Sequence, residues 1–301
     1  MAKALLSWVA TAAAVLWVPQ PAIAFDGTVP VRTMRDVAYR QIGETALHLD
    51  AYIHPAAAKS PAPVLIHFHG GGWARGARAD DWTGFRSYLA AGFSIITVQY
   101  RLAGEARAPA AVEDARCALH WVGANAAALG FDLDRIVISG TSAGAHLALM
   151  AGLLPETNAI DAPECRNPPR AAAIIDHYGP TDLAALGGRG GGLHPTVANW
   201  IGAHPDAVDL ARQMSPVNWL SASSPPIFMA HGDADPVVPV AQSQMLARRL
   251  GELGVTHDLF VVPQGGHGKF DATSREAMTK RIFAFLCALE IADKGACGDE
   301  N

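Results

Sequence analysis

Two kinds of hydrophobic pattern alternate along the chain. Short continuous apolar runs, such as "PVLIHFHG" (63–70) and "FSIITVQY" (93–100), are typical of strands covered on both faces. The segment between these runs carries Trp82, Phe85 and Leu89 at helical spacing, and it predicts an amphipathic helix. A strand, a helix and a second strand over this length predict a parallel crossover unit.

The alternation continues to the end of the chain, interrupted by an irregular segment of about 45 residues after 178. The other predicted strands are 36–42, 46–53, 134–140, 171–178, 226–232 and 256–263. The other predicted helices contain Val112 to Val122, begin at Ala143, span about 240–253, and contain Met278 to Leu289. This order predicts an α/β fold: a doubly wound, mostly parallel eight-stranded sheet whose functional residues lie at the carboxyl ends of the strands.

Composition is consistent with one large domain. Half of the 301 residues are hydrophobic and 17% are charged, which suffices for a sizeable core. The net charge of -5 comes without a basic block, and this argues against a nucleic-acid partner. We expect a domain over 25–301, with a lid insertion at about 183–225.

The first 24 residues have the features of a secretory signal. One lysine precedes an apolar run over 4–18, and the stretch ends in the small-x-small sequence Ala22-Ile23-Ala24. The run is shorter than the roughly 20 residues needed to span a bilayer. We therefore expect cleavage after Ala24, a periplasmic or secreted protein, and no membrane association after signal removal.

Export would allow the four cysteines to form disulfides, for which we favour Cys117 with Cys165 and Cys287 with Cys297. No CxxC pair is present, so the sequence does not predict a metal site. The sequence does not predict an oligomeric state.

The stretch "IVISGTSAGAHLALM" (136–150) changes from a strand pattern to a helix pattern at Ser142. A turn this tight would project the hydroxyl at the edge of the sheet, and it would leave no room for a Cβ at Gly140 or Gly144. The beginning of the helix would also direct free N–H groups toward an anion. Ser142 is therefore the candidate nucleophile.

A serine nucleophile needs a base and a carboxylate that orients it. His267 follows the last predicted strand in a glycine-rich loop, so it is the candidate base. Asp233 and Asp235 both follow the strand 226–232, and their spacing does not choose between them. Among the other histidines, we expect His146 to pack within its helix. His69 and His231, at strand ends, are expected to organise their loops.

The glycines of "HFHGGGW" follow a predicted buried strand, where backbone N–H groups can point inward. We expect the N–H groups of Gly71, Gly72 and Ala143 to form an oxyanion hole, the set of donors that acyl transfer requires. This chemistry requires no cofactor and no metal.

Taken together, "HGGGW", "GFDLDRIVISGTSAGAHLA", "YGPTDL", "HGDADPVVPVAQS" and "GGHG" resemble the α/β-hydrolase esterases. The resemblance covers roughly 36 to 290. It is closest to the bacterial feruloyl-esterase-like branch (BD-FAE), which is related to the hormone-sensitive-lipase group. It implies a carboxylesterase (EC 3.1.1) with Ser142 as nucleophile, His267 as base and Asp235 as orienting acid, in the chain order Ser, Asp, His that this fold uses. Similar sequences act on acetylated sugars, aryl esters, feruloyl esters and synthetic acyl esters.

Two other functions remain open. "SAGAHLA" also resembles kynurenine formamidases, which apply the same triad to an N-formyl amide, although an exported chain suits that cytosolic step poorly. A hydrolase fold retained as a binding module is the other alternative, although such relatives usually lack a triad member.

The lid insertion offers little apolar surface, which includes Trp200 and Trp219. We expect Trp73 to line a shallow acyl pocket, and Trp200 and Trp219 either to line it as well or to pack the lid onto the body. A small lid predicts an esterase for short acyl groups on a small or polysaccharide-linked alcohol, and not an interfacial lipase.

Overall fold

Eight strands form one sheet in the order β1-β2-β4-β3-β5-β6-β7-β8 in the computed structural model, which describes residues 30–187, 192–203 and 205–292. The strands are β1 (Arg32–Ile42), β2 (Thr45–Ile53), β3 (Ala62–Phe68), β4 (Ser94–Val98), β5 (Phe131–Thr141), β6 (Ala173–His177), β7 (Ile227–Gly232) and β8 (His257–Val262). The β1–β2 and β2–β4 pairs are antiparallel, and all the other pairs are parallel. The predicted α/β fold with eight strands is therefore confirmed.

Helices cover both faces of the sheet. They are α1 (Arg86–Ala90), α2 (Ala110–Leu129), α3 (Ala143–Leu153), α4 (Pro195–Ile201), α5 (Ala207–Gln213), α6 (Ala241–Glu252) and α7 (Ala272–Ala288). Apolar side chains of α2, α3 and α6 pack on one face, and those of α1 and α7 pack on the other. Because both faces are buried, consecutive strand residues such as Leu65 and Ile66 are both fully buried, which explains the continuous apolar runs.

The predicted helical stripe at Trp82, Phe85 and Leu89 is buried, but the helix around it is short. A 3-10 turn over Thr83–Phe85 leads into the five-residue α1. The Asp81 carboxylate accepts the N–H of Thr83 at 2.7 Å and so fixes the beginning of this turn.

The segment after β6 is more regular than its sequence suggested, since it contains α4, α5 and a 3-10 turn over Pro216–Trp219. The prediction of an irregular segment is therefore wrong. His194 caps α4 by accepting the N–H of Thr196, and Pro195 occupies the first turn. Val197, Trp200 and Ile201 then bury one face of α4. Of the glycine cluster at 187–192, residues 188–191 lie outside the described ranges.

A disulfide joins Cys117 of α2 to Cys165, the pairing favoured from the sequence. With Glu164, these cysteines form the one cluster of metal-ligand type found in the described part of the chain. Their sulfurs are bonded to each other, so they provide no thiolate ligand. Of the expected Cys287–Cys297 pair, Cys287 belongs to α7, whereas Cys297 lies outside the described residues, as does the expected signal at 1–24. No helix in the described ranges is long and apolar enough to cross a membrane.

Candidate active site

Ser142 lies between β5 and α3 in a strained turn. Its backbone has φ 54 and ψ -119, a region that costs a residue with a side chain about 1–3 kcal/mol. Its N–H donates to the carbonyl of His177 on β6 at 2.9 Å, which ties the turn to the neighbouring strand. The hydroxyl is therefore held at the carboxyl edge of the sheet, as the strand-to-helix pattern predicted.

The two glycines around Ser142 are required by different contacts. A Cβ on Gly140 would lie 2.2 Å from the carbonyl oxygen of Gly144, so the two ends of the turn almost touch, as expected. A Cβ on Gly144 would instead lie 2.1 Å from the carbonyl oxygen of Phe68, at the end of β3. Gly144 therefore allows α3 to begin directly against the neighbouring strand, a contact that the local sequence pattern does not predict.

His267 follows β8 and connects the serine to a carboxylate. Its Nε2 lies 2.8 Å from Oγ of Ser142, and its Nδ1 lies 2.7 Å from Oδ2 of Asp235. A proton on Nδ1, donated to the carboxylate, leaves the Nε2 lone pair to accept the serine hydroxyl. The Tyr178 ring packs edge-on against the imidazole at 4.9 Å. The structure thus brings Ser142, His267 and Asp235 together.

Asp235 and Asp233 make different contacts, although they are two residues apart. The Oδ1 of Asp235 accepts the N–H groups of Val237 at 2.8 Å and Val238 at 2.9 Å, so this carboxylate also forms the turn after β7. Asp233 accepts the N–H of Gln264 at 2.6 Å, in the loop that carries His267. Asp235 is therefore the one of the two that contacts the imidazole.

His231, at the end of β7, is a neighbour of Asp235 that the sequence indicated only as an organiser of its loop. It is fully buried, and its Nε2 lies 3.3 Å from Oδ2 of Asp235. Its Nδ1 lies 2.7 Å from the hydroxyl of Ser243, and Nε2 also lies 2.8 Å from the carbonyl of Val238. Burial on its own raises the pKa of Asp235, but the hydrogen bonds from His231, His267 and the Val238 and Val237 amides hold that pKa below its ordinary value.

The loop after β3 has the strained backbone that only glycine accepts easily. Gly71 has φ +126 and Gly72 has φ +62, and the following residue, Trp73, also has a positive φ of 57. A Cβ on Gly71 would lie 2.0 Å from the carbonyl oxygen of Arg75. Among the described residues, the N–H groups of Gly71, Gly72 and Ala143 donate to no protein acceptor. They are available to an oxyanion.

A cavity of about 630 Å³ lies beside the loop after β3, and Ser142 and His267 form part of its wall. Its apolar lining includes Trp73, Pro180, Leu186, Val197, Val237 and Val238. Its polar lining includes Arg75, His194 and Asn199. The cavity can therefore hold a small apolar group beside a polar one.

Two of the three expected pocket tryptophans lie elsewhere. Trp200 is fully buried and stacks on Trp73, with ring centroids 4.6 Å apart, so it faces that ring and not the cavity. Trp219 donates its indole N–H to the carbonyl of Gln213 and lines a separate groove. Trp73 does border the cavity but is only 2% exposed. The pocket prediction for Trp200 and Trp219 is therefore wrong, because both pack the insertion onto the body.

The arrangement has the parts that acyl transfer needs. A hydroxyl lies within hydrogen-bond distance of an imidazole, the imidazole contacts a carboxylate, and free N–H groups lie beside the hydroxyl. This geometry allows attack on a carbonyl carbon without a metal or cofactor.

Comparison with known proteins agrees with this chemistry. Residues 49–250 match the family model described as BD-FAE. Esterase LipQ of Mycobacterium tuberculosis is 30% identical over 249 residues, which cover 81% of this chain and 59% of the relative. The chain spans a little over half the length of the first curated relatives that it matches.

Solved structures of esterases have the same fold. The acetyl ester-xyloside bifunctional hydrolase from Caldicellulosiruptor lactoaceticus superposes with a TM-score of 0.74 at 27% identity, over 89% of this chain and 100% of that one. Esterase Est2 of Thermogutta terrifontis, in its propionate-bound form, gives a TM-score of 0.69 at 25% identity, over 88% and 96% of the two chains.

Proposed function

Because the chain belongs to the BD-FAE family, we propose that it is a serine carboxylesterase that hydrolyses short-chain acyl esters through an acyl-enzyme intermediate. The contact between Ser142 Oγ and His267 Nε2, at 2.8 Å, carries this proposal. A serine hydroxyl is a weak nucleophile until a base this close removes its proton.

In the first half of the reaction, Ser142 attacks the ester carbonyl while His267 accepts the serine proton. The developing oxyanion takes hydrogen bonds from the N–H groups of Gly71, Gly72 and Ala143. Asp235 keeps the imidazole oriented and stabilises its positive charge. The imidazolium then donates the proton to the leaving alcohol, and the acyl group stays on Ser142.

In the second half, His267 takes a proton from a water molecule, which attacks the acyl carbonyl. The same N–H groups stabilise the second oxyanion, and the proton returns to Ser142 as the acid leaves. The low pKa of Asp235 supports this role, since a carboxylate that stays ionised can stabilise the imidazolium in both halves.

The cavity supports a short acyl group on a hydroxylated alcohol. Its apolar wall is small, and its polar lining, with Arg75, His194 and Asn199, suits a sugar or an aromatic alcohol with hydroxyl groups. The substrate class in the name of the C. lactoaceticus hydrolase, an acetyl ester-xyloside, is consistent with such an alcohol.

We also propose that the protein is exported, with cleavage after Ala24 and two disulfides. The secretory pattern of the first 24 residues and the Cys117–Cys165 bond support this proposal. The exported protein would start at Phe25, and its intact mass would rise by about 4 Da on complete reduction of two disulfides. A retained leader, or four free thiols in the denatured protein, would contradict it.

The esterase proposal is tested with nitrophenyl acetate and an organophosphate label. Wild-type protein should hydrolyse the ester and be labelled on Ser142, whereas Ser142→Ala should fold normally and lose nearly all turnover. The matched control is Ser87→Ala. Ser87 lies in α1, on the opposite face of the sheet from α3, so this variant should keep full activity. Equal turnover by wild type and Ser142→Ala would reject the proposal. Cleavage of an N-formyl anilide without ester cleavage would favour the formamidase alternative.

A further inference from the structure

His146 has no part in the mechanism above, yet it is a fully buried imidazole one turn along the helix that Ser142 begins. Its backbone N–H donates to the carbonyl of Ser142 at 3.1 Å. Both ring nitrogens have partners: Nδ1 lies 3.3 Å from the indole nitrogen of Trp73, and Nε2 lies 2.7 Å from the carbonyl of Met214. A buried group bonded on both sides is fixed in orientation.

The partners of His146 determine its tautomer. An indole N–H can only donate, so Nδ1 of His146 must accept, and a carbonyl can only accept, so Nε2 must carry the proton. The ring is therefore neutral. Burial lowers the pKa of His146 to about 4, and the bond to Met214 opposes that shift only in part, so the ring stays neutral at ordinary assay pH.

Trp73, whose indole N–H donates to His146, belongs to the loop after β3 that carries Gly71 and Gly72. We call this loop the oxyanion loop. Trp73 follows Gly71 and Gly72, and the three residues share a run of positive φ angles that the chain does not adopt without support. The carbonyl of Trp73 accepts the N–H of Ala103 at 2.7 Å, and its ring is held by His146. These contacts therefore hold the residue that directly follows the two glycines at both its backbone and its ring.

Two described parts of the lid insertion, α4 and the residue that follows α5, hold the other side of both rings. Trp200 of α4 stacks on Trp73 and meets His146 edge-on at 5.3 Å. Met214, which follows α5, provides the carbonyl that accepts from His146. A Cβ on Gly72 would lie only 2.7 Å from Cγ2 of Thr196 in α4, so the lid also touches the loop directly.

We infer that His146 is a positioning residue that locks the oxyanion loop to the nucleophile helix. Through Trp73 it sets the N–H groups of Gly71 and Gly72 relative to that of Ala143, which lies on the same helix as His146. His146 also contacts Met214 and Trp200 of the lid insertion, so the relative position of these N–H groups depends on how the insertion packs against the body. The inference rests on the proposed esterase function and extends it to a residue whose side chain does not line the cavity and contacts no triad side chain.

The test uses His146→Phe, which keeps a ring but loses both hydrogen bonds, and His146→Gln, which can still accept and donate. We expect His146→Phe to lower kcat about 10- to 100-fold with little change in KM, because misplaced donors weaken transition-state binding. His146→Gln should recover part of this loss. The acid limb of the pH profile should stay where it is in wild type, since Ser142, His267 and Asp235 are untouched.

A second variant guards against a folding defect. Trp73→Phe removes the indole N–H on the other side of the same bond, together with part of the ring that stacks on Trp200. If the two variants act through this one bond, the double variant should lose no more than the worse single variant. An alkyl boronic acid, whose tetrahedral adduct places an oxygen in the oxyanion hole, should bind more weakly in step with kcat/KM. Leu153→Ala, at the far end of α3, is the control for destabilisation: it should lower Tm and leave kcat unchanged.

The outcomes separate this inference from the proposed function. Activity lost in Ser142→Ala but unchanged in His146→Phe would overturn the inference alone. So would an unchanged boronate affinity, a shifted acid limb, or an equal loss of kcat in Leu153→Ala. Wild-type protein no more active than Ser142→Ala would instead reject the esterase proposal on which the inference rests.

Discussion

His231 lies 3.3 Å from Asp235, measured from Nε2 to Oδ2, and both side chains are buried. The same carboxylate oxygen contacts His267 at 2.7 Å. The other oxygen accepts two backbone N–H groups, so Asp235 is held on every side. Because these bonds lower its folded-state pKa, Asp235 contributes stability that is present above its unfolded pKa of about 3.9 and is lost as the pH falls through the lower folded value.

The first prediction distinguishes Asp235 from Asp233. Asp235→Asn should lower kcat/KM about 10³- to 10⁴-fold, because an amide group in place of Oδ2 cannot accept from His267 and would favour the wrong tautomer. Asp233→Asn should cost less than about 10-fold, since an amide oxygen can still accept the Gln264 N–H. Steady-state kinetics on one short ester compares them. Similar losses in both variants would mean that the contact between Asp235 and His267 does not account for the loss of kcat/KM.

The difference between these two aspartates also shows where prediction from the sequence ends. Ser142 and His267 were predictable because a strand-to-helix junction and a glycine loop after a strand are local patterns. Spacing could not separate Asp233 from Asp235, because residues two apart in an extended stretch can face the same way. Their roles depend on Gln264 and His267, which lie about 30 residues further along the chain.

The tryptophans of the insertion show the same limit. A tryptophan in a lid can line a cavity or fill the core, and the choice depends on which ring it meets. Trp200 meets Trp73, more than 100 residues earlier in the chain, and their stacking buries it. The sheet needed no such information, since alternating positions indicated its first two strands and apolar runs indicated the others.

The second prediction concerns Asp176, a fully buried residue of β6 that the mechanism does not use. Its Oδ1 accepts the N–H of Gly179 at 2.8 Å, and its Oδ2 has no hydrogen-bond partner among the described residues. Burial raises its pKa to about 7, although the Gly179 bond and nearby His231 oppose the shift. The unfolded chain, with an ordinary aspartate, then binds fewer protons than the folded one between about pH 4 and 7.

Stability should therefore fall as the pH rises through this window, and Asp176→Asn should remove most of that fall. The free energy of unfolding should fall by about 2–3 kcal/mol between about pH 5 and pH 8, the amount that two pKa units correspond to. Urea unfolding of both proteins at the two pH values measures the difference. Asp134→Asn, an exposed aspartate, is the control and should leave the slope unchanged. Identical pH slopes in wild type and Asp176→Asn would contradict the prediction.

The third prediction concerns the Cys117–Cys165 disulfide, which closes a loop over 48 residues. Cross-linking a loop of this length reduces the entropy of the unfolded chain by an amount worth about 4 kcal/mol in the chain-entropy model. The double variant Cys117→Ala/Cys165→Ala should lose about 2–4 kcal/mol of unfolding free energy but keep kcat, because neither cysteine lines the cavity. Denaturation of the variant with and without reductant, compared with wild type, measures this. Unchanged stability, or a large loss of kcat at full folding, would contradict it.

The last prediction concerns acyl chain length. Burying a methylene gains about 0.8 kcal/mol only where an apolar wall covers it. In this cavity of about 630 Å³, the apolar wall is limited to a few side chains, among them Leu186, Val197 and Val238. The lid cannot add to it, because Trp200 is already stacked on Trp73 and Trp219 faces a separate groove.

For nitrophenyl esters from two to sixteen carbons, kcat/KM should therefore stop rising at about two to four carbons, because further methylenes remain in water and gain no binding free energy. The rise up to that length should appear mainly in KM, since the covered part of the chain is bound equally before and during the attack by Ser142. Short esters assayed with and without an oil interface provide the control, and we expect no activation at that interface. An optimum at ten carbons or more would contradict this prediction, because it would require an apolar surface that the lid does not present in this conformation. It would mean that Trp200 leaves its stack on Trp73 when a long chain binds.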